Sequence, residues 1–110
     1  MMDGLMREFL AAMLEGKGAP NQPVAFEGGV GLSIDDAVCI RNASTTIVGI
    51  MAEDGYISRR HGAIGKQWKK LFQSLQSGPA DHPCDAITIR LLDSGEELTY
   101  YFDISDFFGT

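Results

Sequence analysis

The last third of the chain sets the strongest constraint on the fold. Ile87, Ile89 and Leu91 alternate with Thr88 and Arg90, and Leu98, Tyr100, Phe102 and Ile104 alternate with Thr99, Tyr101 and Asp103. A period of two places successive side chains on opposite faces, so each run predicts a strand with one apolar face turned to a core. Asp93-Ser94-Gly95 between the runs supplies turn residues, and together they predict an antiparallel C-terminal hairpin. A half-apolar sheet is stable only when another layer covers it.

Two segments offer that cover. Met2, Leu5, Met6, Phe9, Leu10, Met13 and Leu14 recur at helical spacing, with Asp3 in the first turn and Gly16, Gly18, Pro20 and Pro23 beyond, which predicts an N-terminal amphipathic helix. Residues 44–61 are ambiguous, because Thr45-Thr46-Ile47-Val48 ahead of Asp54-Gly55 also suits a strand and turn. A helix is preferred there: Ser44 is an N-cap residue, Ile47, Ile50, Met51 and Ile57 share one side, and Arg59-Arg60-His61-Gly62 reads as a basic last turn closed by glycine. Between these segments, two short strands are expected around 23–27 and 37–41, flanking the turn signal Asp35-Asp36. Gly28-Gly29-Val30-Gly31 lacks the phosphate-loop and dinucleotide-loop patterns and reads as part of a bulged hairpin. Trp68, Leu71, Phe72 and Leu75 fit either a helix or a twisted strand over 66–76. The expected architecture is α+β, a single domain over 1–110 with two helices packed on a small, mainly antiparallel sheet.

Composition removes several classes. With 45% hydrophobic and 22% charged residues the chain has ordinary globular usage. It contains no apolar run of the ~18 residues needed to span a membrane as a helix. Asp3, Arg7, Glu8 and Glu15 interrupt the N-terminal apolar pattern in a way a secretory signal does not tolerate. Cys39 and Cys84 are the only cysteines and form no CxxC, so two reduced thiols in the cytoplasm are expected rather than a disulfide scaffold.

Groups capable of chemistry are sparse. A metal site would need Cys39, His61, His82 and Cys84 to converge, but only His82-Pro83-Cys84 has close spacing; no metal or other cofactor is expected. Asp81-His82-Pro83-Cys84 brings an imidazole near a thiol, yet activated cysteines normally meet their base across the fold, and a proline-broken loop with an exposed histidine is the simpler reading. The paired acids Asp35-Asp36, Glu53-Asp54, Glu96-Glu97 and Asp103/Asp106 read as solvated turns, with none in an apolar setting that would raise a carboxyl pKa. Residues 100–109 hold five of the nine Tyr and Phe residues; alternation sends part of them inward and leaves Tyr101, Phe107 and Phe108 as interface candidates.

One segment departs from the acidic background. Arg59, Arg60, Lys66, Lys69 and Lys70 surround Trp68 with no acid among them, and removing this +5 stretch from the formal −6 leaves −11 for the rest. The acidic total disfavours nucleic acid as its target. An acidic protein surface, or the acidic face of a second copy of this chain, fits better. These six residues form the expected partner-binding surface of a small accessory, regulatory or inhibitor-type subunit. The alternative is a small hydrolase or transferase assembled across the fold from His61, His82, Cys84 and the acids.

Overall fold

The structure, a computed structural model, describes residues 23–109. The N-terminal helix expected from residues 2–14 lies outside them. The described residues form strands β1 (Ala25–Gly28) and β2 (Val38–Arg41), helix α1 (Thr46–His61), and strands β3 (Trp68–Ser77), β4 (Pro83–Leu91) and β5 (Glu97–Asp103). A single 3-10 turn occupies Ile34–Asp36, and Pro79–Asp81 forms a tight turn. One five-stranded sheet runs in the order β1-β2-β5-β4-β3. It is mixed: β2 runs parallel to β5, and the other three pairings are antiparallel. The fold is α+β, with one α-helix among the described residues.

The alternating runs near the end become β4 and β5, paired from Cys84↔Asp103 to Arg90↔Glu97. Ile87, Ile89, Tyr100 and Phe102 turn to one face and meet Ile40 and Val38 of β2 and Val48, Ala52 and Ile57 of α1 in a single core. Burying those side chains supplies the driving force for the α-on-β arrangement, at about 25 cal/mol per Å2 of apolar surface.

Thr45 rather than Ser44 caps α1: its hydroxyl accepts from the Val48 N–H at 3.2 Å. At the other end the Gly62 N–H donates to the Ser58 carbonyl, with a positive φ of 105° that glycine tolerates and other residues rarely adopt. The face expected to be buried is corrected. Ile57 is inside, but Ile47, Ile50 and Met51 are exposed, and the inward residues are Val48, Gly49, Ala52, Glu53 and Ile57. Gly49 lies where the helix meets the Phe107 ring, which an added Cβ would overlap.

The 66–76 segment resolves as strand, not helix. β3 pairs with β4 along its length, with an irregularity between Lys70 and Phe72. Trp68 opens it as a core residue. His82-Pro83-Cys84, expected in a loop, instead leads directly into β4, with Pro83 at the first strand position, where a missing N–H is tolerated. No helix among the described residues is long and apolar enough to cross a membrane.

Candidate functional site

Strand register builds one chemically dense spot. Asp103 of β5 pairs with Cys39 of β2 on one side and with Cys84 of β4 on the other, so the three side chains form a row across the sheet face opposite the core. His82, immediately before β4, directs Nδ1 to Asp103 Oδ2 at 2.9 Å. The turn presenting it holds Ala80 and Asp81 at positive φ, 56° and 58°. It is closed by the Gly78 N–H donating to the His82 carbonyl and by the Ser77 hydroxyl on Asp81. Left-handed backbone at non-glycine residues is retained only where the surroundings enforce it.

Asp103 is almost fully occupied as an acceptor. The Ser105 N–H and hydroxyl donate to Oδ1 at 2.9 and 2.6 Å, and the Cys39 thiol approaches Oδ2 at 3.9 Å. Burial alone would push its pKa up, but the two bonds from Ser105 and the one from His82 outweigh it and hold the carboxyl below the ordinary aspartate range. An ionised Asp103 makes Nδ1 the protonated ring nitrogen and leaves Nε2 without a partner among the described residues. The group opens into a cleft of about 480 Å3, walled by Gly28, Gly29, Asp36, Arg41 and Ala80.

The thiols are poor nucleophiles. Burial, and then the Asp103 charge, raise the pKa of both Cys39 and Cys84, so neither is a thiolate at neutral pH. Cys84 is also sealed beneath Gly78. What the arrangement can do is move a proton: an imidazole oriented by a carboxylate, with no activated sulfur. His61 is elsewhere, with Nε2 2.7 Å from the Tyr100 hydroxyl. The four-residue metal set is therefore not assembled, and no group of three or more His, Cys, Asp or Glu among the described residues is placed to hold a metal ion.

The +5 segment does not form one surface. Trp68, expected among exposed cations, is fully buried, and its indole N–H donates to the Gly62 carbonyl at 2.9 Å. Lys70 is bridged to Asp54 at 2.8 Å, while Lys69, one residue away on a strand, points to the opposite face. Arg59 and Arg60 lie over the Phe26 and Tyr56 rings at 5.8 and 5.9 Å, and Lys66 is exposed in the loop before β3.

A second, apolar surface lies where α1, β3 and the C-terminal turn meet. Ile50, Leu75, Ile104, Phe107 and Phe108 line a groove of about 280 Å3, with Asp85 in its wall. Ile47 and Met51 flank Ile50 at helical spacing, and Ile47, Ile50, Met51, Leu75 and Phe108 are each between 40% and 63% exposed. Of the three interface candidates at the end of the chain, Phe107 is buried, Tyr101 is half-buried and Phe108 is exposed on this groove.

Glu53 also departs from expectation. It is fully buried between helix and sheet, neither oxygen has a hydrogen-bond partner of good geometry, and its pKa is pushed up to about 10. Burial is the main cause; the neighbouring Asp85 carboxyl adds to it, and Lys70 offsets only part. Glu53 and Asp103 each leave one signal in the sequence. Glu53 stands in the i±4 row of Gly49 and the inward Ile57, and Asp103 interrupts a β-branched and aromatic strand, where aspartate is disfavoured.

Comparison of the chain with protein-family models, with curated proteins and with solved structures finds no match in any of the three.

Proposed function

We propose that this chain is a small non-enzymatic interaction protein, an accessory, regulatory or inhibitor-type subunit, that binds another protein through the apolar surface of α1 and the C-terminal aromatics. The reading is carried by one observation: Ile47, Ile50 and Met51 on the helix adjoin a groove that Leu75 and Phe108 line, all well exposed. Contiguous exposed apolar surface of this kind marks interaction sites, whereas scattered apolar residues do not. Asp85 in the groove wall and the formal charge of −6 suit a partner segment whose apolar side chains are flanked by Lys or Arg, laid in the groove as an amphipathic helix. Two free thiols agree with a reducing, cytoplasmic setting.

Site-specific photo-crosslinking in the native host tests this. A crosslinking residue at Ile47 or at Phe108 should capture the same protein, and one at Glu96, in the turn between β4 and β5, should not. Ile50→Asp should abolish capture while leaving the fold intact. Equal capture from all three positions, or capture indifferent to Ile50→Asp, removes the groove as the binding surface.

The His82–Asp103 pair favours a second reading, a small hydrolase or transferase in which His82 is the general base and Asp103 orients it. Under it, His82→Ala and Asp103→Asn abolish turnover in folded protein, while Cys84→Ala leaves it intact.

A further inference from the structure

β3 is an open edge. Among the described residues its one strand partner is β4, and apart from a bridge between Trp68 and Ile64 at its start the other side of the strand has no neighbour there. Natural sheets blunt such edges with charges, proline or bulges, because an unpaired row of N–H and C=O groups templates another strand. Here the protection covers only the start, with Lys69, Lys70 and the irregularity before Phe72. The remainder, Leu71-Phe72-Gln73-Ser74-Leu75-Gln76-Ser77, carries no charge, proline or glycine, and two of its three large apolar side chains, Phe72 and Leu75, are 64% and 56% exposed.

We propose that β3 pairs with β3 of a second copy of this chain, antiparallel about Ser74, joining two five-stranded sheets into one. The charges select this occupant and this direction. β3 carries the exposed cation Lys69 at its start, Lys70 being held by Asp54 of its own chain, and its end runs into the Pro79–Asp81 turn that carries Asp81. Antiparallel pairing about Ser74 sets the cationic end of each copy alongside the Asp81 turn of the other. Parallel pairing would stack Lys69 on its own counterpart, and like charges directly opposed are destabilising. A two-fold arrangement uses the β3 edge of both copies and closes on itself, so this contact stops at the dimer. Part of the basic segment thereby acquires the acidic target for which its charge is suited. The pairing rests on the sheet edge, which shares Leu75 with the groove beside α1.

The test is the mass of the full chain in solution by light scattering and sedimentation across the micromolar range. Twice 11.9 kDa is expected. Ser74→Lys and Ser74→Glu should each remain folded by circular dichroism and run as monomers, and their equimolar mixture should recover the dimer. Amide hydrogen exchange over residues 71–77 should slow as concentration rises. A wild-type chain that stays monomeric, which includes an edge covered by another segment of the chain or reserved for a different protein, overturns the proposal. So do association beyond the dimer, charge variants that still dimerise, and a mixture that fails to recover the dimer.

Discussion

Glu53 is the residue whose energetics are most unusual. An acid ordinarily titrating at 4.5 keeps its proton to about pH 10 in the fold. Below about pH 4.5 folded and unfolded chains both carry the proton; above it only the folded chain does, until pH approaches 10. The folded state binds the extra proton throughout that window, so stability falls as pH rises through it. Glu53→Gln, uncharged at every pH, should raise stability at pH 8 by on the order of 2 kcal/mol and flatten the decline between pH 5 and 9, read by urea denaturation. A variant less stable than wild type at pH 8 would mean that burying Glu53 carries no such penalty. Asp103 runs the other way. Its depressed pKa contributes stability above the unfolded value that is lost as pH falls below it, and Asp103→Asn should cost about 1–3 kcal/mol at neutral pH by weakening the bonds from Ser105 and His82. The thiols behave as the low cysteine count implies. Asp103 stands between Cys39 and Cys84, which puts their strands about 10 Å apart, beyond the ~7 Å Cα separation a disulfide allows. Thiol titration of the unfolded chain without reductant should return both. Neither acid role was legible by residue type, because an acid in a helix row or at a strand end looks solvated until the partner element is in place.

Helix α1 shows what a single stripe can hide. Its length and its glycine C-cap were legible and its N-cap was one residue off, yet its inward face was not legible, because apolar residues lie on two sides: Val48, Ala52 and Ile57 inward, Ile47, Ile50 and Met51 outward. Periodicity identifies a stripe but does not say which stripe the sheet meets. The difference is measurable. Ile57→Ala should cost about 2–5 kcal/mol, whereas Ile47→Lys should change stability by less than about 0.5 kcal/mol. Gly49 separates local from tertiary preference. Alanine in mid-helix normally gains up to about 1 kcal/mol over glycine, but Gly49→Ala drives a methyl into the Phe107 ring and should lower the thermal midpoint. β3 was undecided for a similar reason. Trp68, Leu71, Phe72 and Leu75 satisfy helical spacing, but only Trp68 is buried, and the strand is set by pairing to β4 rather than by its own pattern.

At the scale of the molecule, the alternating runs of β4 and β5 made an α-on-β fold legible, but they could not indicate that β2 returns to lie parallel against β5. That pairing is fixed by contacts between residues more than sixty positions apart, and it rests on two register pairs, Val38↔Phe102 and Cys39↔Asp103. β3, β4 and β5 follow one another directly and are joined by long antiparallel ladders. The sheet is thus two blocks with a short seam, and loop-closure entropy gives them different histories. The β3–β5 block can form from local contacts, while β1 and β2 must be brought across the whole intervening chain. Native-state hydrogen exchange should therefore resolve two cooperative units, with β1 and β2 amides exchanging through an opening of lower free energy than those of β4 and β5. The Cys39–Asp103–His82 cluster spans that seam, so anything that occupies its cleft holds the late-forming block to the early one and should slow exchange in β1 and β2 before it alters β4.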